Sequence, residues 1–485
     1  MLPNVPQFVI AFFGVLEAGA IVVPTNPLYT RHELEHQLAD SGACAVITLD
    51  QLFPRLQMAL PATDVRMVVV AGIGEALPRR LKPLYALRSH RQGVHRTPRG
   101  GVVHRFDDLL SGPDSSARVT PSPDDVAVLQ YTGGTTGRAK AAMLSHRNLI
   151  ANATQAYCWQ GTDREREASM LLVVPFFHVY GLSIGMNLSI ASGATMLLAP
   201  RFIPKEIAHL AQKYRPQMFP GVPTMYLALS DLAGFSQKQF GSLRVSISGA
   251  APLPEEVERR FRAVSGAQIV EGYGLTEASP VSHCNPVYGD NRPGTVGVPF
   301  PGTDARITDP LTWQPLPIGT VGEVTVRGPQ VMLGYWNRPE ETERVLRDGW
   351  LHTGDLGTID ADGYLTVVDR IKDVIIASGF NVYPREVEEV LYSHPEIQEA
   401  AVIGVPSEYR GETVKAFVVP KDGSNLTGEA IIAFCSEQLA PFKVPKLIEL
   451  RDQLPKSLIG KVLHRELRDD QPIVEKSEEF AQPVA

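Results

Sequence analysis

Cysteine is scarce in this sequence, and neither sign of charge is in strong excess. The 485 residues include four cysteines, which are far apart and form neither a Cys-x-x-Cys pair nor a cysteine–histidine cluster. This spacing argues against a disulfide framework and a structural zinc site, and it favours a reducing, cytoplasmic compartment. The 46 basic and 53 acidic residues give a net charge of −7, so the basic excess typical of nucleic-acid-binding proteins is absent.

Long apolar runs without polar interruption are also few. Residues 8–23 resemble the apolar part of a signal peptide, but no Lys or Arg precedes them and Glu17 lies within them. Residues 171–198 are long enough to span a bilayer, yet they contain proline, histidine, asparagine and several serines and glycines. Both segments are therefore predicted to be buried strand and helix structure of an α/β core.

The length predicts two or more domains, because 485 residues exceed what one hydrophobic core usually holds. Up to about residue 350, short β-rich runs alternate with helical patterns, which predicts βα units with largely parallel sheets. The predicted strands are residues 45–49, 67–70, 126–130, 170–174, 195–198, 245–248 and 268–270. The predicted helices between them are residues 32–39, 146–159, 205–214 and 255–264.

The pattern changes after Gly302. Short strands separated by Gly, Pro and Asp predict a small β-rich subdomain, with strands at 305–308, 322–327, 357–359 and 364–367. A compact α+β unit follows Asp369, with a helix from about Pro384, a strand pair at 400–405 and 414–419, and a helix at 428–439. The predicted division is thus 1–368, 369–470 and an acidic tail, 471–485.

Residues 79–105 form a strongly basic segment. They contain seven arginines, one lysine and three histidines, and no acidic residue. We interpret the segment as a solvated surface loop, with peripheral contact to an anionic inner membrane face as the alternative.

The sharpest local signal is the segment 131–140, Tyr-Thr-Gly-Gly-Thr-Thr-Gly-Arg-Ala-Lys. It follows an apolar strand, and its three glycines allow backbone N–H groups to turn toward an anion. Three threonine hydroxyls and Lys140 add donors and a positive charge. The segment predicts a phosphate-binding loop. It differs from the loop of P-loop ATPases and kinases, in which Gly-Lys is followed directly by Ser or Thr, so that class is disfavoured.

This loop and further segments in the same order resemble motifs of the adenylate-forming superfamily, which includes acyl-CoA synthetases, nonribosomal-peptide adenylation domains and beetle luciferases. The other segments are 175–181, 248–252, 271–277, 350–356, 369–384 and 455–461. The amino-acid sequences of segments 131–137 and 349–356 most resemble those of bacterial long-chain fatty acid–CoA ligases. The resemblance implies an α/β fold: a large N-terminal domain of βα subdomains with a small β-rich subdomain, followed by a small α+β C-terminal lid domain.

The implied reaction uses ATP, Mg²⁺ and coenzyme A. A medium- to long-chain fatty acid attacks the α-phosphorus of ATP, giving acyl-AMP and pyrophosphate, and coenzyme A then displaces AMP. An apolar run around Phe176 and Phe177 fits a fatty acyl chain. Transfer to a carrier-protein thiol, an aryl-acid substrate, and a truncated inactive homologue that acts only by binding stay open as alternatives.

The resemblance also assigns the nucleotide-binding residues. The β- and γ-phosphates would be held by Thr132, Gly133, Gly134, Thr135, Thr136, Gly137 and Lys140. Glu277 and the Thr132 hydroxyl would bind Mg²⁺, which prefers oxygen ligands. Tyr273 would lie on the adenine face, in a pocket lined by Gly249, Ala250, Glu271, Gly272, Gly274 and Thr276. Asp355 would accept both ribose hydroxyls, and Arg370 is the second ribose contact.

Three catalytic assignments and a hinge complete the set. Lys461 would bridge the substrate carboxylate and the α-phosphate, Glu277 would act through its metal, and His178 would gate the substrate. For His178 a satisfied core histidine is the rival interpretation, and for Lys372, in the same motif as Arg370, a solvent-facing charge is the rival. Asp369 occupies the position of the hinge about which the lid rotates.

Three departures from the family pattern stand out. Ala141 replaces a glycine that many members have, which would strain the backbone if a positive φ were needed there. Ile376 stands where some relatives have lysine. Relatives also carry several tens of residues before the segment that matches residues 1–8, so the chain is expected to lack the N-terminal segment of the first subdomain and to be less stable for that reason.

Overall fold

The computed structural model describes residues 1–91, 100–112, 119–132, 139–160, 168–407, 410–457, 460–468 and 471. The chain divides into two compact units. Unit 1 comprises Met1–Pro220, Leu275–Val281 and Pro329–Arg344, and unit 2 comprises Gly221–Gly274, Ser282–Gly328 and Val345–Ala485.

The first sheet of unit 1 has three parallel strands, Ala45–Leu49, Met67–Ala71 and Val103–Arg105. Helices Arg31–Ser41 and Phe53–Ala59 pack beside it, and the buried side chains of Leu34, Leu56 and Val68 form its core. Thr30 begins the first of these helices with a capping box to Glu33. The strands predicted at 45–49 and 67–70 and the helix at 32–39 are confirmed.

A second sheet of unit 1 contains the hairpin that carries the predicted phosphate-binding loop. Strand β1 (Val126–Thr132) pairs antiparallel with β2 (Lys140–Ser145), and the short strand Gly334–Tyr335 joins β2. Helix His146–Trp159 follows directly, begun by a capping box between Ser145 and Asn148. The sequence predicted one strand followed by a helix here, and the structure has an antiparallel strand pair followed by the helix.

Residues 171–198 form the strand–helix–strand structure that was predicted. The parallel strands Ser169–Leu172 and Thr195–Leu198 flank a π-helical segment, Gly181–Asn187, that continues into helix Leu188–Ser192. The other helices of unit 1 include Pro6–Glu17, Lys82–Arg91, Phe106–Leu110 and Pro204–Tyr214. Among the described residues, no helix combines the length and the apolarity that a membrane span requires.

The first part of unit 2 is an α/β layer. Strand Val245–Ser248 pairs in parallel with β3 (Ile269–Gly274), and helices Pro223–Ser230, Gln237–Phe240 and Glu255–Ser265 pack around the buried rings of Tyr226, Phe240 and Phe261. The strand predicted at 245–248 and the helix at 255–264 are confirmed.

The predicted β-rich subdomain is an antiparallel sheet. Strand Asp304–Thr308 pairs with β4 (Gly322–Arg327), β4 pairs with β5 (Trp350–Ile359), and β5 pairs with β6 (Leu365–Arg370). A two-residue strand, Leu346–Arg347, adds to the edge of β5.

The C-terminal α+β layer follows β6 in unit 2. Its strands are Ile375–Ala377, Phe380–Val382, Ile397–Ser407, Gly411–Pro420 and Leu447–Leu450, and its helices are α1 (Pro384–Ser393), Gly428–Gln438 and His464–Arg468. The predicted helices and the antiparallel strand pair are confirmed. The boundary between residues 368 and 369 stays a prediction, and the tail beyond residue 471 lies outside the described residues.

Candidate active site

The β1–β2 hairpin places Thr132 opposite Lys140, at the two ends of the predicted phosphate-binding loop. The Thr132 hydroxyl donates to the Lys140 carbonyl at 3.4 Å. Gly133, Gly134, Thr135, Thr136 and Gly137 lie outside the described residues. The strain expected at Ala141 does not arise, because this residue is paired with Tyr131 in extended β2 and does not have a positive φ.

Glu277 and Lys140 both contact Tyr335 in unit 1. The Tyr335 hydroxyl donates to Glu277 Oε1 at 2.7 Å, and Lys140 Nζ lies 5.2 Å from the centre of the Tyr335 ring. Lys140 also forms an ion pair with Glu341. Burial, and then the Glu277 carboxylate, raise the pKa of Tyr335, which keeps its hydroxyl protonated as a donor. The predicted magnesium and phosphate residues are thereby linked through an aromatic side chain that sequence reasoning did not select.

His178 lies in the turn that precedes the π-helical segment. Its Nδ1 accepts the backbone N–H of Tyr180 at 3.3 Å, and its carbonyl accepts the N–H of Leu182 at 2.9 Å. Phe176 is buried beside Phe8, with ring centres 5.5 Å apart. The apolar surroundings suit a fatty acyl chain, and π-helical turns recur at functional sites. The gating role of His178 stays a prediction.

Asp355 is the centre of a polar cluster in unit 2. It lies on β5 opposite Arg370 of β6, and Arg370 Nε is 3.2 Å from Asp355 Oδ1. The Tyr273 hydroxyl at the end of β3 donates to Asp355 Oδ2 at 2.6 Å. Burial, followed by the Asp355 carboxylate, raises the pKa of Tyr273. Tyr273 and Arg370, from two separate sequence motifs, therefore contact the carboxylate of Asp355, which belongs to a third.

Lys461 interacts electrostatically with the same cluster. Its pKa is lowered to about 8, chiefly by burial and then by the Arg370 cation, while Asp355 and Asp373 act in the opposite direction. Lys372 interacts with the same groups although it is exposed, and partial desolvation lowers its pKa. An incoming anion would relieve the repulsion among these cations, so the arrangement is suited to binding a phosphate or a carboxylate.

The backbone around Lys461 is held against the first helix of unit 2. Gly460 has a φ of +76°, and a Cβ at this position would collide with the Thr224 hydroxyl oxygen. The N–H of Lys461 donates to Ser457 Oγ at 3.2 Å. The position of Lys461 therefore depends on a residue without a side chain.

Most of the other residues predicted to line the adenine pocket belong to unit 2. Ala250, next to Gly249, has a φ of +69°, a strained backbone conformation of the kind that clusters at functional sites. Glu271 is buried, accepts the N–H of Leu253 at 3.1 Å, and has its pKa raised to about 7 by burial. Gly272 lies within β3 and Gly274 ends it. Thr276 belongs to the turn that carries Glu277 in unit 1.

Asp369 is bound on both sides. Its Oδ1 accepts the N–H of Arg370 at 2.7 Å, and its Oδ2 accepts the N–H of Arg385, in the first turn of α1, at 3.0 Å. The Arg385 side chain donates to the Val367 carbonyl at 2.6 Å. Arg385 and Tyr335 were missed by sequence reasoning, because an arginine after Pro384 and a tyrosine beside Trp336 look like ordinary first-turn and core residues.

Comparison with known proteins assigns the family. The model of the AMP-binding enzyme family matches residues 1–336, and that of the AMP-binding enzyme C-terminal domain matches residues 386–461. A long-chain-fatty-acid–CoA ligase of Bacillus subtilis (strain 168) is 47% identical over 97% of this chain and 85% of its own length. One from Escherichia coli O6:H1 is 43% identical over 97% of this chain and 84% of its own length. The crystal structure of ATP-bound MatB from Rhodopseudomonas palustris is 33% identical, with a TM-score of 0.84 over 96% of this chain and 87% of that one.

Proposed function

The chain belongs to the AMP-binding enzyme family, and on this basis we propose that it is a long-chain fatty acid–CoA ligase. It activates a medium- to long-chain fatty acid with ATP to acyl-AMP and pyrophosphate, and it then transfers the acyl group to coenzyme A with release of AMP. The long-chain-fatty-acid–CoA ligases of B. subtilis and E. coli, aligned over 97% of this chain, support this choice of substrate and acceptor.

One observation carries the proposal beyond family membership: Lys461 shares its surroundings with Asp355 and Arg370. Adenylation needs no protein nucleophile, because the substrate supplies a carboxylate. The protein has to align that carboxylate with the α-phosphate and neutralise the charge that develops. Lys461 supplies the cation. Asp355, oriented by Tyr273 and Arg370, has the two acceptor oxygens that a ribose diol needs.

The residues proposed for Mg²⁺ fit that ion. Tyr335 engages Glu277 Oε1, and among the described residues Oε2 has no hydrogen bond. The described part of the chain holds no cluster of three or more His, Cys, Asp or Glu side chains arranged for a metal. Mg²⁺ commonly binds through one or two carboxylates together with substrate phosphates. Glu277 with the Thr132 hydroxyl suits this mode, in which a bound Mg²⁺ would neutralise phosphate charge.

Two half-reactions test the function. We expect ATP–pyrophosphate exchange that depends on a long-chain fatty acid, followed by AMP release that depends on coenzyme A. Exchange with aryl acids alone would identify an aryl-acid ligase, and release with a carrier-protein thiol alone would identify a carrier-loading enzyme. No exchange with any acid would refute the ligase activity and leave the inactive homologue.

Substitution of Lys461 tests its role. Lys461→Ala should lower acyl-AMP formation by about 10²–10³-fold, as does the loss of one group that stabilises transition-state charge. Thioester formation from supplied acyl-AMP should be affected much less. Lys456→Ala is the matched control, because Lys456 belongs to the same segment but forms an ion pair with Glu399. Equal loss of both half-reactions in Lys461→Ala would contradict a role in the first step.

The basic segment 79–105 was predicted to be a surface loop, but Lys82–Arg91 is a helix, and residues 92–99 lie outside the described residues. We also propose that this segment makes peripheral contact with an anionic membrane. Leu81, Leu84 and Leu87 are exposed at a spacing that places them on one face at the start of helix Lys82–Arg91. Arg79, Arg80 and Lys82 are exposed beside them. Apolar side chains flanked by cations are the combination that binds the surface of an anionic bilayer.

A further inference from the structure

Asp355 stands on a distortion of its strand. In the pairing of β4 with β5, Glu323 lies opposite Leu356 and Thr325 lies opposite His352. Only Val324 separates the two pairs on β4, whereas residues 353–355 separate them on β5. The extra residues of β5 therefore bulge out of the ladder, and bulges beside active sites commonly redirect one side chain. Asp355 is the last residue of this bulge.

A bulge leaves backbone groups without their ladder partners, and Glu323 supplies one replacement. Its Oε1 accepts the N–H of Gly354 at 3.0 Å. Its Oε2 lies 2.7 Å from His352 Nδ1, which must carry the hydrogen because a carboxylate only accepts. Both side chains are buried, and the His352 ring packs edge-on against Trp313, with centres 6.1 Å apart.

Thr353, within the bulge, makes two further hydrogen bonds that stabilise it. The Thr353 hydroxyl donates to the Val324 carbonyl at 2.7 Å and accepts the N–H of Asp355 at 3.1 Å. Gly354 between them has a φ of +73°, which a residue with a side chain rarely adopts. The Glu323 carboxylate is thus the buried group that holds the N–H of Gly354, immediately before Asp355.

We propose that Glu323, oriented by His352, is a positioning residue for recognition of the nucleotide ribose. It does not touch the nucleotide but fixes the bulge from which Asp355 reaches the ribose hydroxyls. The inference rests on the proposed ribose contact of Asp355. Without Glu323, the partly buried N–H of Gly354 loses its partner, and the bulge relaxes toward another arrangement.

The test compares ATP with 3′-deoxyATP in the adenylation half-reaction. The ratio of the two kcat/KM values measures how well the enzyme senses a ribose hydroxyl, and a hydrogen bond to a charged group makes this ratio about 10–100 in the unsubstituted protein. Glu323→Ala should move the ratio toward that of Asp355→Ala and leave the KM for the fatty acid unchanged. Glu323→Gln should retain most of the discrimination, because its amide oxygen can still accept the N–H of Gly354.

Two further variants separate positioning from general destabilisation. Thr325→Ala weakens the same sheet at a buried position, where the Thr325 hydroxyl donates to the Arg306 carbonyl, and it should lower the melting temperature without changing the ratio. His352→Ala leaves Glu323 in place without its orienting partner and should lower the ratio partially. If Glu323→Ala does not fold, His352→Ala and Glu323→Gln still test the proposal.

The outcomes are distinguishable. If Asp355→Ala discriminates as well as the unsubstituted protein, the ribose contact itself is wrong and the positioning role falls with it. If Asp355→Ala loses discrimination while Glu323→Ala and His352→Ala keep it, only the positioning role is overturned. A ratio that falls equally in Thr325→Ala would also overturn it.

Discussion

At the scale of single residues, Lys461 is distinguished by the other cations around its ammonium group. Arg370 and Lys372 lie close to it, and burial lowers its pKa to about 8. A lysine with this pKa is mostly protonated at neutral pH but loses its charge within the accessible alkaline range.

This pKa predicts an alkaline limit for adenylation. The cation is present below about pH 8 and is lost above it, so kcat/KM for ATP in the pyrophosphate exchange should fall as pH rises through about 8. Lys461→Arg keeps its charge at all these pH values, so its lower activity should persist to higher pH. An identical alkaline limb in both proteins would show that another group titrates.

Gly460 permits a second prediction. Gly460→Ala places a Cβ against Thr224 Oγ1, and the new alanine has to adopt a φ of +76°. We expect adenylation to fall about tenfold or more, because the left-handed conformation alone costs about 1–2 kcal/mol and the collision displaces Lys461. Adding Thr224→Ala removes the collision but not the backbone strain, so recovery should be partial. Full activity of Gly460→Ala would contradict this account.

At the scale of elements, the predicted hinge residue Asp369 lies within strand β6. Asp369 is still paired with Leu356 of β5, and its carboxylate holds the start of α1. The strand ends at Arg370, and the short turn Ile371–Asp373 follows. Rotation of the C-terminal layer about Asp369 therefore has to open the last pairs of this ladder.

Proline substitution tests the hinge. Asp369→Pro locks φ near −65° and should impair thioester formation more than adenylation, because only the passage between the two steps requires rotation. Asp369→Ala loses the same carboxylate contacts while its backbone stays free, so it serves as the control. Equal effects of the two substitutions, or a larger effect of Lys372→Pro, would move the pivot away from Asp369.

Helix α1 carries a carboxyl group whose burial affects stability. The pKa of Glu388 is raised from 4.5 to about 8, chiefly by burial and to a smaller extent by the Asp369 carboxylate, while the hydrogen bond from the Val402 N–H and the Arg385 cation oppose the shift. Its Oε1 accepts the N–H of Val402 at 2.9 Å, and His464 Nε2 lies 3.8 Å away. The folded chain thus keeps a proton that the unfolded chain releases above about pH 4.5, and the free energy of unfolding falls as pH rises toward 8.

Glu388→Gln should remove this pH dependence. The amide cannot ionise and retains an oxygen for the N–H of Val402, so the variant should gain stability over the unsubstituted protein between pH 5 and pH 8, by about 1–3 kcal/mol. Thermal melts at several pH values measure the gain. Glu386→Gln is the control, because Glu386 is exposed on the same helix and pairs with Lys443. A gain that does not grow with pH would contradict the buried, protonated state.

The elements themselves were largely predictable. Helices 146–159 and 428–439 and strands 45–49, 195–198 and 322–327 were located within a residue of their observed bounds, because caps, glycines and apolar periodicity are local signals. Of the β1–β2 hairpin only β1 was predicted, because the pairing of β2 with β1 is a contact that the apolar pattern of the sequence does not show. The bulge in β5 was not predicted, because it exists only relative to β4.

At the scale of the whole molecule, the net charge of −7 contrasts with the cluster of cations in residues 79–105. An acidic protein with a local basic, apolar helix should bind anionic surfaces through that helix alone. We expect the protein to sediment with phosphatidylglycerol vesicles and to be released as salt screens the attraction.

Substitutions separate this contact from nonspecific adhesion. Leu84→Glu should abolish vesicle binding without changing adenylation, because it places a negative charge on the membrane-facing side. Leu311→Glu, at an exposed leucine far along the chain in the β-rich part, should have no effect. Sedimentation that is insensitive to Leu84→Glu, or equally sensitive to both, would argue against contact through this helix.

The sequence by itself determined the family, the reaction class and the identity of most candidate residues, because the chemistry of each motif resides in consecutive side chains such as those of 131–140 and 271–277. Tertiary structure alone decided which residues support them. The Tyr335 hydroxyl donates to Glu277, and the N–H of Arg385 donates to Asp369. Glu323 accepts the N–H of Gly354 in the bulge before Asp355. These partners are between 16 and 58 residues apart. Strand register and helix placement, which depend on the packing of the whole chain, bring them within hydrogen-bonding distance.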